Sequence, residues 1–149
     1  MSRVPAPSRR VLTALMEGGQ PSASPGSDGT KIGRLFNHLH TLLEQQDEVL
    51  VALDRLAPQV YDEEEAGAAY RSVVAQETHL ADATADTAAA LLLAPVERAC
   101  DLQLKLMVLI AACEPHRDDA DIFPSLYLRA LLTDLRCHTL SIKRGIHRS

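Results

Sequence analysis

The sequence has no tryptophan and only five other aromatic residues, three Tyr and two Phe. It therefore lacks the means to build a large stacking platform for nucleic-acid bases. Its three cysteines, Cys100, Cys113 and Cys137, are too few and too scattered for a secreted disulfide framework. None belongs to a C-x-x-C pair, so thiolate zinc has no spacing to support it. They read as reduced thiols in a cytoplasmic protein, with Cys100 and Cys113 serving as small hydrophobes on helix faces. No apolar run approaches the ~20 residues of a membrane-spanning helix. There is no Gly-rich phosphate loop, no G-x-S-x-G and no H-E-x-x-H.

What the chain does have is alanine and leucine, 21 and 23 of its 149 residues, with only seven glycines. Both head the helix-propensity ranking, whereas β-branched residues are comparatively scarce. At 46% hydrophobic and 23% charged, the composition is that of an ordinary globular domain, and the length suits one core without staples. The net charge of −5 is unevenly placed: residues 1–34 carry +3, residues 35–101 carry −10 and residues 102–149 carry +2. An acidic middle repels a phosphate backbone, so nucleic-acid binding through the folded part is disfavoured.

At the N-terminus, Ser8-Arg9-Arg10-Val11-Leu12 resembles a twin-arginine export signal, but the apolar stretch Val11 to Met16 stops at Glu17-Gly18-Gly19, short of the roughly 7–15 residues of an apolar signal region. A cytoplasmic location is expected, with export through a degenerate signal as the minority alternative. Gly18 to Gly29 has almost nothing to bury. Residues 1–30 therefore read as a flexible basic tail and Gly/Ser/Pro linker, and residues 31–145 as a single helical domain. Ser8 to Met16 would form one or two helical turns only where a partner or the body of the protein offered a groove.

From Thr30 the apolar residues fall on 3–4 spacing. Ile32, Leu35, Phe36, Leu39, Leu42, Leu43, Leu50, Leu53 and Leu56 predict a helix over 31–57, capped by Asp28 or Thr30 and ended by Pro58. Asp62-Glu63-Glu64-Glu65 reads as the acidic first turn of a second helix over 62–93. Thr78, Asp82, Thr84, Asp86 and Thr87 predict a bend or break near 80–86. Ala94-Pro95-Val96-Glu97 reads as the start of a third, strongly apolar helix running to about Ala112. Pro124, Phe123, Leu126, Tyr127, Ala130, Leu131 and Leu135 define a fourth over 122–143. The expected fold is all-α, a helical bundle of about four helices built on a long N-terminal αα-hairpin.

Leu93-Ala94-Pro95-Val96-Glu97-Arg98-Ala99 and Leu128-Arg129-Ala130-Leu131-Leu132-Thr133-Asp134-Leu135-Arg136 are similar to segments of small helical proteins of unknown function from alphaproteobacteria. Those pair an Ala-rich helical hairpin with a Pro-started helix and a final Arg-x-x-Leu-x-Asp-Leu-Arg helix. The resemblance implies the fold and a bacterial origin, and carries no activity.

The sharpest candidate for chemistry is His38, His40 and Glu44 with Glu77 and His79. His40 and Glu44 share a helix face, but Glu77-Thr78-His79 is not the Glu-x-x-His of carboxylate-bridged di-iron bundles. Side chains two apart on a helix point to opposite sides, so these residues read as solvated or capping groups. Cys100 lies next to Asp101 and near Glu97, acidic neighbours that do not favour a reactive thiolate, and reads as a helix-face cysteine. Neither a cofactor nor catalysis is expected. The function that remains is a non-enzymatic protein–protein interaction module: an accessory subunit, adaptor or self-associating scaffold. A protein partner or homo-oligomer would use an apolar helix face at Val49, Leu50 and Leu53, and a basic patch at Arg136, Lys143 and Arg144. A small acidic regulator of a larger bacterial complex and a metal-dependent helical enzyme are the alternatives.

Overall fold

A computed structural model of the chain describes residues 4–18, 29–59, 64–113 and 128–137. These residues are all-helical, with no strand among them. The elements are α1 (Arg9–Gly18), α2 (Lys31–Leu56), a 3-10 turn (Ala57–Gln59), α3 (Glu64–Leu93), α4 (Ala99–Cys113) and α5 (128–137).

The hairpin of α2 and α3 is the frame. Thr30 has extended backbone and its hydroxyl accepts the Gly33 amide at 3.0 Å, so this side chain, rather than Asp28, caps α2. Leu56 is the last α-helical residue, and Pro58 lies in the tight turn that follows. The expected break in α3 does not occur: the helix is continuous over 30 residues. The hydroxyls of Thr78 and Thr87 donate to the carbonyls of Val74 and Ala83, four residues back. The competing polar groups are thereby satisfied without leaving the helix. Thr84 is the exception, since its buried hydroxyl has no partner.

The main core joins Ile32, Phe36, Leu39 and Leu43 of α2 to Ala88 and Leu91 of α3 and Met107, Val108, Ile110 and Ala111 of α4. Leu12 and Leu15 of α1 and Leu132 of α5 complete it. Residues 4–18 are therefore not a free tail. Leu12 is 1% exposed, the Ser8 amide donates to the Ala111 carbonyl at 2.8 Å and Arg9 pairs with Asp47. The body of the protein supplies the groove that a ten-residue amphipathic helix needs, because alone it is too short to be stable. The expected linker over 19–28 lies outside the described residues.

Two further expectations change. Pro95 does not open α4. Residues 95–97 are non-helical, and Ala99 is the first helical residue. On α5, Leu132 is buried while Leu131 and Ala130 are exposed, a rotation of about 100° from the expected face. Phe123, Pro124, Leu126 and Tyr127 lie outside the described residues.

Leu12→Ala is expected to cost about 2–5 kcal/mol in urea unfolding, whereas a free tail would leave the midpoint unchanged. Thr84→Val keeps the shape and removes the unpaired hydroxyl, and is expected to raise stability by about 1 kcal/mol in the same measurement.

Candidate functional site

The site begins with how the short helices are registered on the long pair. Asp101 sits in the first turn of α4 and is fully buried. Its Oδ2 accepts the amides of Glu97 and Arg98, each at 3.0 Å, and its Oδ1 accepts the Thr30 hydroxyl at 2.7 Å. The carboxylate closes the α4 N-terminus in the manner of a capping box, and through Thr30 it holds the starts of α4 and α2 side by side. Burial alone would raise the Asp101 pKa. The hydrogen bonds from Thr30, Glu97 and Arg98, helped by the Arg98 charge, outweigh it and hold the pKa below the ordinary carboxylate value.

From that junction α4 runs up the α2/α3 face for 15 residues, about 22 Å, while α2 runs for 26 and α3 for 30. The contact of Ser8 with Ala111 and the pair Arg9–Asp47 place the upper limit of the cover near Asp47. Beyond it α2 continues for about 14 Å. A second, smaller cluster there joins Leu42, Val49 and Leu80 with Leu53, Val73 and Ala83, all from α2 and α3.

Helical geometry shows what this leaves open. Phe36, Leu43 and Leu50 are spaced by seven residues on one stripe of α2; Phe36 and Leu43 are buried, whereas Leu50 is 44% exposed. On α3 the matching stripe is Ala88, Ala81 and Val74. Ala88 is buried, Ala81 half-buried and Val74 38% exposed. Leu50 and Val74 each follow by one residue a member of the seam, Val49 and Val73. In an antiparallel pair, those flanks lie on the same side. The face that α1 and α4 cover below Asp47 thus continues above it, uncovered among the described residues. Val51, also exposed, lies on the outer side of α2.

A second exposed apolar group lies at the opposite end, where α3 passes into α4. Leu93 is 86% exposed, with Val96 and Leu102 also exposed. Lys105 Nζ donates to the Leu92 carbonyl at 2.9 Å and closes the C-terminus of α3. Lys31 and Arg34 in the first turn of α2, and Arg98 before α4, are exposed at this same end.

Of the residues expected to bind a partner, only Leu50 is an exposed apolar contact. Val49 is buried against Leu42 and Leu80 and is corrected to a seam residue, and Leu53 is half-buried in the same cluster. Arg136 donates to the Leu15 carbonyl at 2.7 Å and so anchors the last turns of α1. Lys143 and Arg144 lie outside the described residues. Val74, Leu93, Val96 and Leu102 were not expected at a contact surface. The heptad step from Leu43 to Leu50 and from Ala81 to Val74 is the signal that finds the first of them.

The histidine and carboxylate candidates do not converge. His40 Nδ1 lies 3.5 Å from Glu44 Oε1, Glu77 accepts from Gln46 at 3.4 Å, and His38 and His79 are exposed. Among the described residues no group of three or more His, Cys, Asp or Glu is placed to hold a metal ion, and no helix is long and apolar enough to cross a membrane. The three cysteines form no disulfide with one another; Cys100 and Cys113 are half-buried and Cys137 is exposed. No family model, curated protein or solved structure matches the chain.

The depressed Asp101 pKa fixes a pH dependence. Its contribution to stability is fully present above the unfolded-state value of about 3.9 and is lost as pH falls through the lower folded value. Asp101→Asn is expected to lower the urea midpoint at neutral pH, and its gap to wild type to narrow progressively below about pH 4. Asp101→Ala strands the Thr30 hydroxyl and two amides, and is expected to cost about 3–5 kcal/mol.

Proposed function

We propose that the chain is a non-enzymatic helical interaction module, an accessory subunit, adaptor or self-associating scaffold of a bacterial cytoplasm, whose contact surface is the upper α2/α3 face. The observation that carries this reading is the apolar stripe that continues from Phe36 and Leu43, both under cover, to Leu50 in the open, paralleled by Ala88, Ala81 and Val74. A regular stripe on a helix face is extended past its cover when something else covers the remainder. The geometry suits a helix laid along the groove between α2 and α3, continuing the line of α1 or α4. Cysteines unbridged by disulfides fit a reducing compartment.

The reading is tested by placing a photo-crosslinking residue at position 50 or 74 of the full chain in its host, with position 38, on exposed His38, as control. A single polypeptide, either a second copy or one other protein, is expected to crosslink from positions 50 and 74 and not from 38. Equal, diffuse labelling from all three positions would contradict it.

A further inference from the structure

The lower end of the hairpin carries an exposed apolar group that the proposed contact surface does not use. Leu93 is 86% exposed, Val96 45% and Leu102 40%. Their neighbours in the chain hold these side chains outward. Ala94 is buried, and its amide donates to the Ala90 carbonyl at 3.0 Å. Lys105 Nζ holds the Leu92 carbonyl, and the buried Asp101 accepts the amides of Glu97 and Arg98. The connection from α3 to α4 is thus tied down on both sides of Leu93 and Val96. A collar of charge surrounds them. Among the described residues, Lys31, Arg34 and Arg98 are exposed at this end against one exposed acid of the connection, Glu97. Asp28 lies outside those residues.

We infer that the lower end docks on an anionic lipid surface, with Leu93 and Val96 entering the boundary between headgroups and acyl chains and with Lys31, Arg34 and Arg98 against the headgroups. Shape favours lipid over a folded protein. A leucine with 86% of its surface in water stands clear of its neighbours, and a fluid interface closes round such a projection without a matching pocket. The collar adds roughly fivefold in affinity per cation at an anionic surface. The whole chain carries −5, so distance decides which charges the surface feels. Asp86, the nearest exposed acid up α3, is seven residues above Leu93, about 10 Å. Glu44, the first acid of α2, is 13 residues above Lys31, about 20 Å. Both exceed the Debye length of about 8 Å at physiological salt, so the acidic middle is screened while the collar is in contact. Among the described residues no helix is long and apolar enough to cross a membrane, and the attachment is interfacial. Val74 lies 19 residues up α3 from Leu93, about 28 Å, so a docked chain keeps its upper face clear of the surface. The inference therefore stands or falls separately from the interaction-module reading.

The sequence has no tryptophan, so Leu93→Trp places a single reporter at the tip. The full chain is mixed with vesicles of phosphatidylcholine alone, or of phosphatidylcholine and phosphatidylglycerol in equal parts, and binding is read by cosedimentation. Wild type is expected to bind the anionic vesicles about tenfold or more tightly than the neutral ones, and less tightly as salt is added. Leu93→Trp emission is expected to shift to the blue on binding and to be quenched by brominated acyl chains, whereas Leu50→Trp emission stays unchanged. Leu93→Ser/Val96→Ser and Lys31→Gln/Arg34→Gln alter only exposed side chains. Each is expected to keep the wild-type urea midpoint and to lose about tenfold or more in vesicle affinity. Absence of wild-type binding to either vesicle would overturn the inference, as would binding that Leu93→Ser/Val96→Ser leaves intact. A Leu50→Trp shift equal to that of Leu93→Trp would overturn it too. A discrete protein crosslinked from position 93 in the host, without vesicle binding, would assign this end to a protein instead. The position-50 crosslink is unaffected by any of these results.

Discussion

Helix length governs this structure. Two long antiparallel helices, 26 and 30 residues, are covered on one face by helices of 15 and 10. Because a helix advances a fixed 1.5 Å per residue, no adjustment of side chains makes the shorter pair reach the far end of the longer one. Among the described residues, the lower half therefore has a core fed by five helices, while the upper half rests on a two-helix seam with Leu42, Val49 and Leu80 at its centre. An isolated pair buries little apolar area, and the stability of such a seam depends on what lies across it.

The register of the cover is set at one place. Asp101 closes α4 and, by accepting the Thr30 hydroxyl, ties that helix to the cap of α2. Thr30 in turn holds the Gly33 amide, so one hydroxyl serves both helix starts, as donor to the carboxylate and acceptor from the amide. A buried carboxylate is tolerated there because three donors solvate it and two helix N-termini face it. Fixing the bottom of α4 in this way decides where its top ends. At the upper limit of the cover, Arg9 meets Asp47 and Ser8 meets Ala111. The stripe above Asp47, uncovered among the described residues, is a consequence of that register.

Much of this was legible in the sequence. The 3–4 spacing from Ile32 to Leu56 gave α2 nearly to the residue, with Thr30 and Pro58 as its limits, and the hairpin followed from the turn between the two long patterns. The continuity of α3 was not legible, because propensity counts Thr78 and Thr87 against a helix while their hydroxyls bond back to the carbonyls of Val74 and Ala83. Docking of α1 was hidden for a different reason: a short amphipathic segment folds only against a groove, and a groove is a tertiary property. Pro95 and Asp101 offer two valid openings for α4, a proline start and an acidic capping box, and only the packed structure selects the second. At the candidate surface, Leu50 was found from its stripe, whereas the burial of Val49 required knowing which side of α2 faces α3. Leu93, Val96 and Leu102 carry no periodic signal, since they span a connection between two helices.

We propose that the upper α2/α3 face, uncovered among the described residues, is closed by contact with a partner. Hydrogen exchange on the full chain at increasing concentration tests it directly. At the lowest concentration, amides of 48–56 and 64–76 are predicted to exchange faster than those of 32–45 and 103–112. As concentration rises, or as the crosslinked partner is added, protection is predicted to increase in these upper segments. Full protection of 48–56 and 64–76 at the lowest concentration, unchanged on raising it, would contradict the account.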